Sequence, residues 1–124
     1  MYLNIVQYCL QTKPLEYIKM NKSLCPVIES AFEVLGKKWN GLIISLLLNG
    51  VMKFSEIKHA IPELSPKILT ERLRELEKNG ILIRSVFADT PVRIEYSLTQ
   101  KGEELQGIIN QLHSWASKWG NIEH

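Results

Sequence analysis

The chain has 124 residues, 45% hydrophobic and 23% charged, which suits one soluble domain large enough to bury a core. Net charge is only +2, and residues 41–80 hold six Lys/Arg against five Asp/Glu, so charge permits nucleic-acid binding without demonstrating it. Two cysteines and three scattered histidines build neither a disulfide framework nor a ligand cluster, so no metal or other cofactor is expected.

The longest apolar run, residues 42–48, is too short to span a membrane, and no basic lead precedes the first apolar residues; a cytoplasmic protein is expected. Residues 1–22 read as an N-terminal arm. Leu3, Val6 and Leu10 make a helical stripe that Pro14 interrupts; the arm either packs on the body or a second subunit, or frays. The domain proper is expected over residues 23–120. Pro26 suits a first helical position, Ile28, Ala31, Phe32 and Leu35 trace one face, and Gly36 ends the helix. After Lys37-Lys38-Trp39 comes a very apolar helix, expected to be central and buried. Asn49-Gly50 is a turn, and residues 51–54 suit a short strand.

Residues 54–80 carry the sharpest pattern. Ser55 is the expected N-cap of a short helix with Ile57, Ala60 and Ile61 at helical spacing; Pro62 stops it, and Glu63-Leu64 carry the turn. Ser65-Pro66 opens a second helix that Gly80 closes. Helix, short turn and helix are the arrangement in which the second helix enters a DNA major groove. At roughly 100° per residue, Leu69, Leu73 and Leu76 share the buried side, and Lys67, Thr70, Glu71, Arg74 and Lys78 share the other. That outer face offers cations to phosphates and hydrogen-bonding groups to base edges. An ordinary amphipathic helix with a solvated face would show the same pattern, so the flanking elements decide.

Beyond Gly80 the period becomes two. Ile81, Ile83, Ser85 and Phe87 alternate with Leu82, Arg84 and Val86; Asp89-Thr90-Pro91 makes a bend, and Val92, Ile94, Tyr96 and Leu98 alternate with Arg93, Glu95 and Ser97. A hairpin directly after a recognition helix is a wing, with Arg93 near its tip. Thr99 is expected to cap one long helix to about Trp119, whose apolar stripe of Leu105, Ile108, Ile109, Leu112, Trp115 and Trp119 exceeds what the core needs. Such a stripe suits pairing with a second copy, with packing inside one chain as the alternative, and a two-fold protein suits a pseudo-palindromic duplex. The expected architecture is therefore α+β, mainly α: a winged helix-turn-helix with a two-stranded wing and a C-terminal dimerisation helix over residues 99–119.

In order and spacing, these segments resemble the HxlR-type family of bacterial winged helix-turn-helix regulators, which are MarR-like DNA-binding proteins. The resemblance runs from Cys25-Pro26 through Gly36-Lys37-Lys38-Trp39, Phe54-Ser55-Glu56-Ile57, Ser65-Pro66-Lys67 and Leu69-Thr70-Glu71-Arg72-Leu73-Arg74 to Pro91-Val92-Arg93-Ile94-Glu95-Tyr96 and Gly102. It implies a dimeric transcription factor, with repression the commoner mode. The expected DNA-contacting set is Ser55, Ser65, Lys67, Thr70, Glu71, Arg74, Lys78, Arg93 and Lys38. Several members of the family sense oxidants or electrophiles through the cysteine before the first helix, a position Cys25 matches. A thiol there meets free N–H groups and the positive end of the helix dipole, which favour thiolate, and Lys22 adds charge. The alternative is a small buried hydrophobe; a small-molecule effector also stays open, as does the role of Cys9.

Two other functional classes compete with this one. A winged helix used only for protein–protein interaction suits the weak net charge and predicts no salt-dependent DNA affinity. An enzyme lacks support: there is no glycine-rich phosphate loop, no Gly-x-Ser-x-Gly and no acid/base pair, and His59 and His113 lie on predicted helices without carboxylate neighbours in sequence.

Overall fold

The computed structural model describes residues 26–120; the predicted N-terminal arm and Cys25 lie outside them. The chain divides between Lys38 and Trp39 into two units. In the first, helix α1 (Pro26–Leu35) starts on proline, where the missing N–H has no helical partner to lose. It ends as the Gly36 N–H donates to the Phe32 carbonyl at 2.7 Å.

The second unit opens with helix α2 (Asn40–Leu47), entered through Trp39 at φ 82°, a left-handed conformation that costs a non-glycine residue about 1 kcal/mol or more. Ile43, Ile44 and Leu47 of α2 are buried, as its apolar run predicts. Strand β1 is only Met52–Lys53, shorter than expected, because Phe54 already begins helix α3 (Phe54–Ala60). Ser55 is thus not the N-cap; it is the second helical residue. Glu56 accounts for the shift, since its Oε1 accepts from the Lys53 N–H at 2.9 Å and fixes the start two residues earlier.

The turn after α3 is held by its own apolar residues. Ile61 and Leu64 are buried, while Pro62 and Glu63 stay exposed. Helix α4 (Pro66–Lys78) follows, capped by Ser65, whose Oγ accepts from the Ile68 N–H at 3.2 Å. Leu69, Leu73 and Leu76 are buried on one side; burial of each such side chain is worth about 1.5–3 kcal/mol. At the far end the Ile81 N–H reaches the Leu76 carbonyl at 2.9 Å and the Gly80 N–H the Glu77 carbonyl at 3.0 Å. This crossed pair needs the positive φ of Gly80, 73°.

Strands β2 (Leu82–Phe87) and β3 (Arg93–Leu98) form the hairpin, in register Leu82↔Leu98, Arg84↔Tyr96 and Phe87↔Arg93. β1 pairs with the other edge of β3, so the two-stranded wing belongs to a three-stranded antiparallel sheet of order β1-β3-β2. Thr99 joins sheet to helix: its N–H donates to the Ile81 carbonyl at 3.0 Å, and its Oγ1 accepts from the Gly102 N–H at 3.1 Å.

The last helix is not continuous. α5 (Gln100–Glu103) and α6 (Gln106–Trp119) are separated by a tight turn in which the Leu105 N–H reaches back three residues, to Gly102, instead of four. Gly102 and Gly107 bracket the break, and glycine is the poorest helix former after proline. No α6 side chain is fully buried. No helix among the described residues is long and apolar enough to cross a membrane.

Candidate nucleic-acid interface

Because the three leucines turn α4 into the core, the opposite side of the same helix is fixed outward. Lys67, Glu71, Arg74 and Lys78 are exposed there, with Thr70 half-buried at the margin. Thr70 Oγ1 donates to the Pro66 carbonyl at 2.8 Å, which orients it along the helix. Arg72 is turned toward the flank and meets Glu75 at 3.7 Å. Lys67, Arg74 and Lys78 make no ion pair among the described residues. An α-helix that presents three unneutralised cations and two hydrogen-bonding side chains has the width and chemistry for a major groove.

The other predicted residues are spread more widely. Ser65 is exposed at the mouth of α4, its oxygen engaged as the helix cap. Ser55 is exposed in the first turn of α3 and lines an open cleft against the wing-tip residues 89–94. Lys38 is exposed at the end of the first unit.

Arg93 lines the same cleft as Ser55 but is already engaged by its neighbours. Its Nη1 lies 3.3 Å from Glu95 Oε1, its Nε 3.2 Å from Asp89 Oδ2 but off the hydrogen-bond direction, and its guanidinium carbon 4.3 Å from the centre of the Phe87 ring. Two carboxylates and a ring face therefore already engage this cation.

Arg84, which no sequence motif singles out, lines a cleft with Thr70, Leu73, Arg74 and Glu77 of α4. The signal was present: Arg84 has the strand parity of Leu82, which is buried, so a cation stood where the alternation calls for the inward face.

The exposed apolar stripe of α6 is the remaining candidate surface. Ile108, Leu112, Trp115 and Trp119 are each at least half exposed, at 50%, 53%, 65% and 67%, whereas Leu105 and Ile109 are half-buried.

The HxlR-like helix-turn-helix family matches residues 34–124. The HTH-type transcriptional regulator YodB of Bacillus subtilis (strain 168) is 48% identical over 100 residues, which cover 81% of this chain and 89% of YodB. The uncharacterized HTH-type transcriptional regulator YvaP of the same organism is 50% identical over 101 residues, covering 81% of this chain and 94% of YvaP. The solved reduced form of YodB superposes with a TM-score of 0.73 at 47% identity, over 81% of this chain and 98% of the other. The redox regulator HypR in its oxidized form gives 0.73 at 35% identity, over 81% and 100%. The matched segment spans most of this chain, and relatives about half identical to it are aligned over nearly their whole length: the chain belongs to the HxlR-like helix-turn-helix family.

Proposed function

We propose that two copies of this chain form a sequence-specific DNA-binding transcriptional regulator, a repressor that reads a pseudo-palindromic duplex. The observation that carries this reading is the outer face of α4, with Lys67, Arg74 and Lys78 exposed and without ion pairs among the described residues. In that reading Arg74, Glu71 and Thr70 reach base edges, as arginine suits guanine and a carboxylate suits the cytosine amino group. Lys67, Lys78, Ser65 and Ser55 hold phosphates and set the register. The relatives named as HTH-type transcriptional regulators support it.

The test is a gel-shift titration on the DNA upstream of the chain's own gene. Arg74→Ala is expected to weaken binding by about 1–3 kcal/mol and relax sequence preference, and Lys67→Ala to weaken all sequences alike. Unchanged affinity in both would reject the assigned face.

A signal input through Cys25 belongs to the same proposal. It is supported by YodB, solved in a reduced form, and by HypR, named a redox regulator, together with the thiolate-favouring position before Pro26. Peroxide or quinone is expected to release the parent protein from DNA and to leave Cys25→Ser bound. An equal response in both would remove Cys25 as the sensor.

A further inference from the structure

We propose that the cleft between α4 and the sheet seats one sugar-phosphate strand of the duplex, with Arg84 as its phosphate contact beside the base-reading Arg74. This rests on the DNA-binding reading and adds a second surface to it. Neighbouring major and minor grooves share a single backbone strand. If α4 occupies the major groove and the hairpin tip reaches the next minor groove, that strand must cross whatever lies between them. What lies between them here is a cleft whose walls are Thr70, Arg74 and Glu77 of α4 and Arg84 of β2, over a floor that includes Leu73 and Tyr96.

The position of Arg84 follows from the sheet register. It sits opposite Tyr96, which is 8% exposed, and two residues beyond Leu82, which is buried. Cross-strand partners share a face, so Arg84 stands on the face that carries the core, directly above it. Arg84 is exposed, and neither it nor Arg74 makes an ion pair among the described residues. Glu77 lines the same cleft but pairs with neither. Two guanidinium groups against one carboxylate leave the cleft short of one negative charge, which a phosphate supplies; guanidinium also matches phosphate in shape, through paired N–H donors.

The register separates Arg93 from this role. Arg93 pairs with Phe87, of the opposite parity to Arg84, and so belongs to the other face of the sheet. Its charge is met there by Asp89 and Glu95. Of the two wing arginines, the one near the tip is tied to the protein and the one near the base faces the cleft.

The experiment is fluorescence anisotropy with the full chain, titrated with salt, on two duplexes: the chain's own upstream DNA and an unrelated sequence. Arg84→Ala is expected to weaken both by the same factor and to lower the slope of log affinity against log salt by about 0.9, one phosphate contact. Arg84→Lys should keep the slope, Arg93→Ala should leave it unchanged, and Glu77→Gln should tighten both duplexes. A parental slope retained in Arg84→Ala overturns the cleft proposal while DNA binding stands. A loss confined to the upstream duplex also overturns it, because Arg84 would then read a base. No binding by the parent to either duplex overturns this proposal and the DNA-binding reading together.

Discussion

At the scale of single residues, similar side chains differ in what their neighbours leave them to do. Arg74 and Arg93 look alike in the sequence, each a cation near a polar stretch. In the fold, Arg74 is exposed and unpaired among the described residues, whereas Arg93 is ringed by Asp89, Glu95 and Phe87. Exposed ion pairs are worth at most about 1 kcal/mol each, so these contacts shape the tip of the hairpin more than they stabilise the domain. The face of α4 was legible because helical spacing fixes it without knowledge of any neighbour. The surroundings of Arg93 were not, because Asp89 approaches it across a loop whose path no periodicity encodes. Arg84 falls between these cases: strand alternation gave its parity, but only the packing of α4 against β2 shows that its side of the hairpin forms a cleft.

At the scale of elements, boundaries depended on caps. Ser65 and Thr99 cap as read because each side chain has one backbone N–H three residues ahead to satisfy. Ser55 had the same chemistry but lost the position to Lys53, whose own N–H is held by Glu56. The carboxylate three residues on outweighed the hydroxyl. The break between α5 and α6 was missed because the apolar stripe runs through it unbroken; stripe spacing reports a face and is blind to one lost hydrogen bond.

The two glycines around that break should respond in opposite ways. A Cβ on Gly102 would overlap the Ile81 carbonyl oxygen, at the point where α5 crosses the chain between α4 and β2. Gly102→Ala is therefore expected to destabilise the fold by about 1–3 kcal/mol. A Cβ on Gly107 meets nothing within 4 Å, and Gly107→Ala should stabilise by about 0.5–1 kcal/mol by restricting the unfolded chain and favouring helix. Urea unfolding of both variants measures this. A Gly102→Ala protein as stable as the parent would mean that the crossing is looser than the close approach implies.

At the scale of the whole molecule, one α4 can fill one half-site, and a pseudo-palindromic duplex needs two placed about 34 Å apart, one turn of DNA. In the two-fold assembly proposed above, the element left over to set that distance is α6. Its exposed apolar residues, Ile108, Leu112, Trp115 and Trp119, recur at steps of four, three and four, the spacing by which two helices pack along a shared stripe. The buried core is drawn instead from α2, α3, α4, the turn after α3 and the sheet. Association and folding should therefore be separable. Leu112→Asp places a charge at the middle of the stripe and is expected to yield a monomer by light scattering while the helical circular dichroism persists. Affinity for the upstream duplex should then fall by about 100-fold or more, since the second half-site no longer binds as part of one molecule. Binding to unrelated DNA, which each subunit's phosphate contacts supply, should change far less. The parent's melting temperature should rise with protein concentration and that of Leu112→Asp should not. A Leu112→Asp protein that stays dimeric would place the two-fold contact elsewhere on the chain; one that is monomeric yet binds the upstream duplex at full strength would show that one copy of α4 is enough.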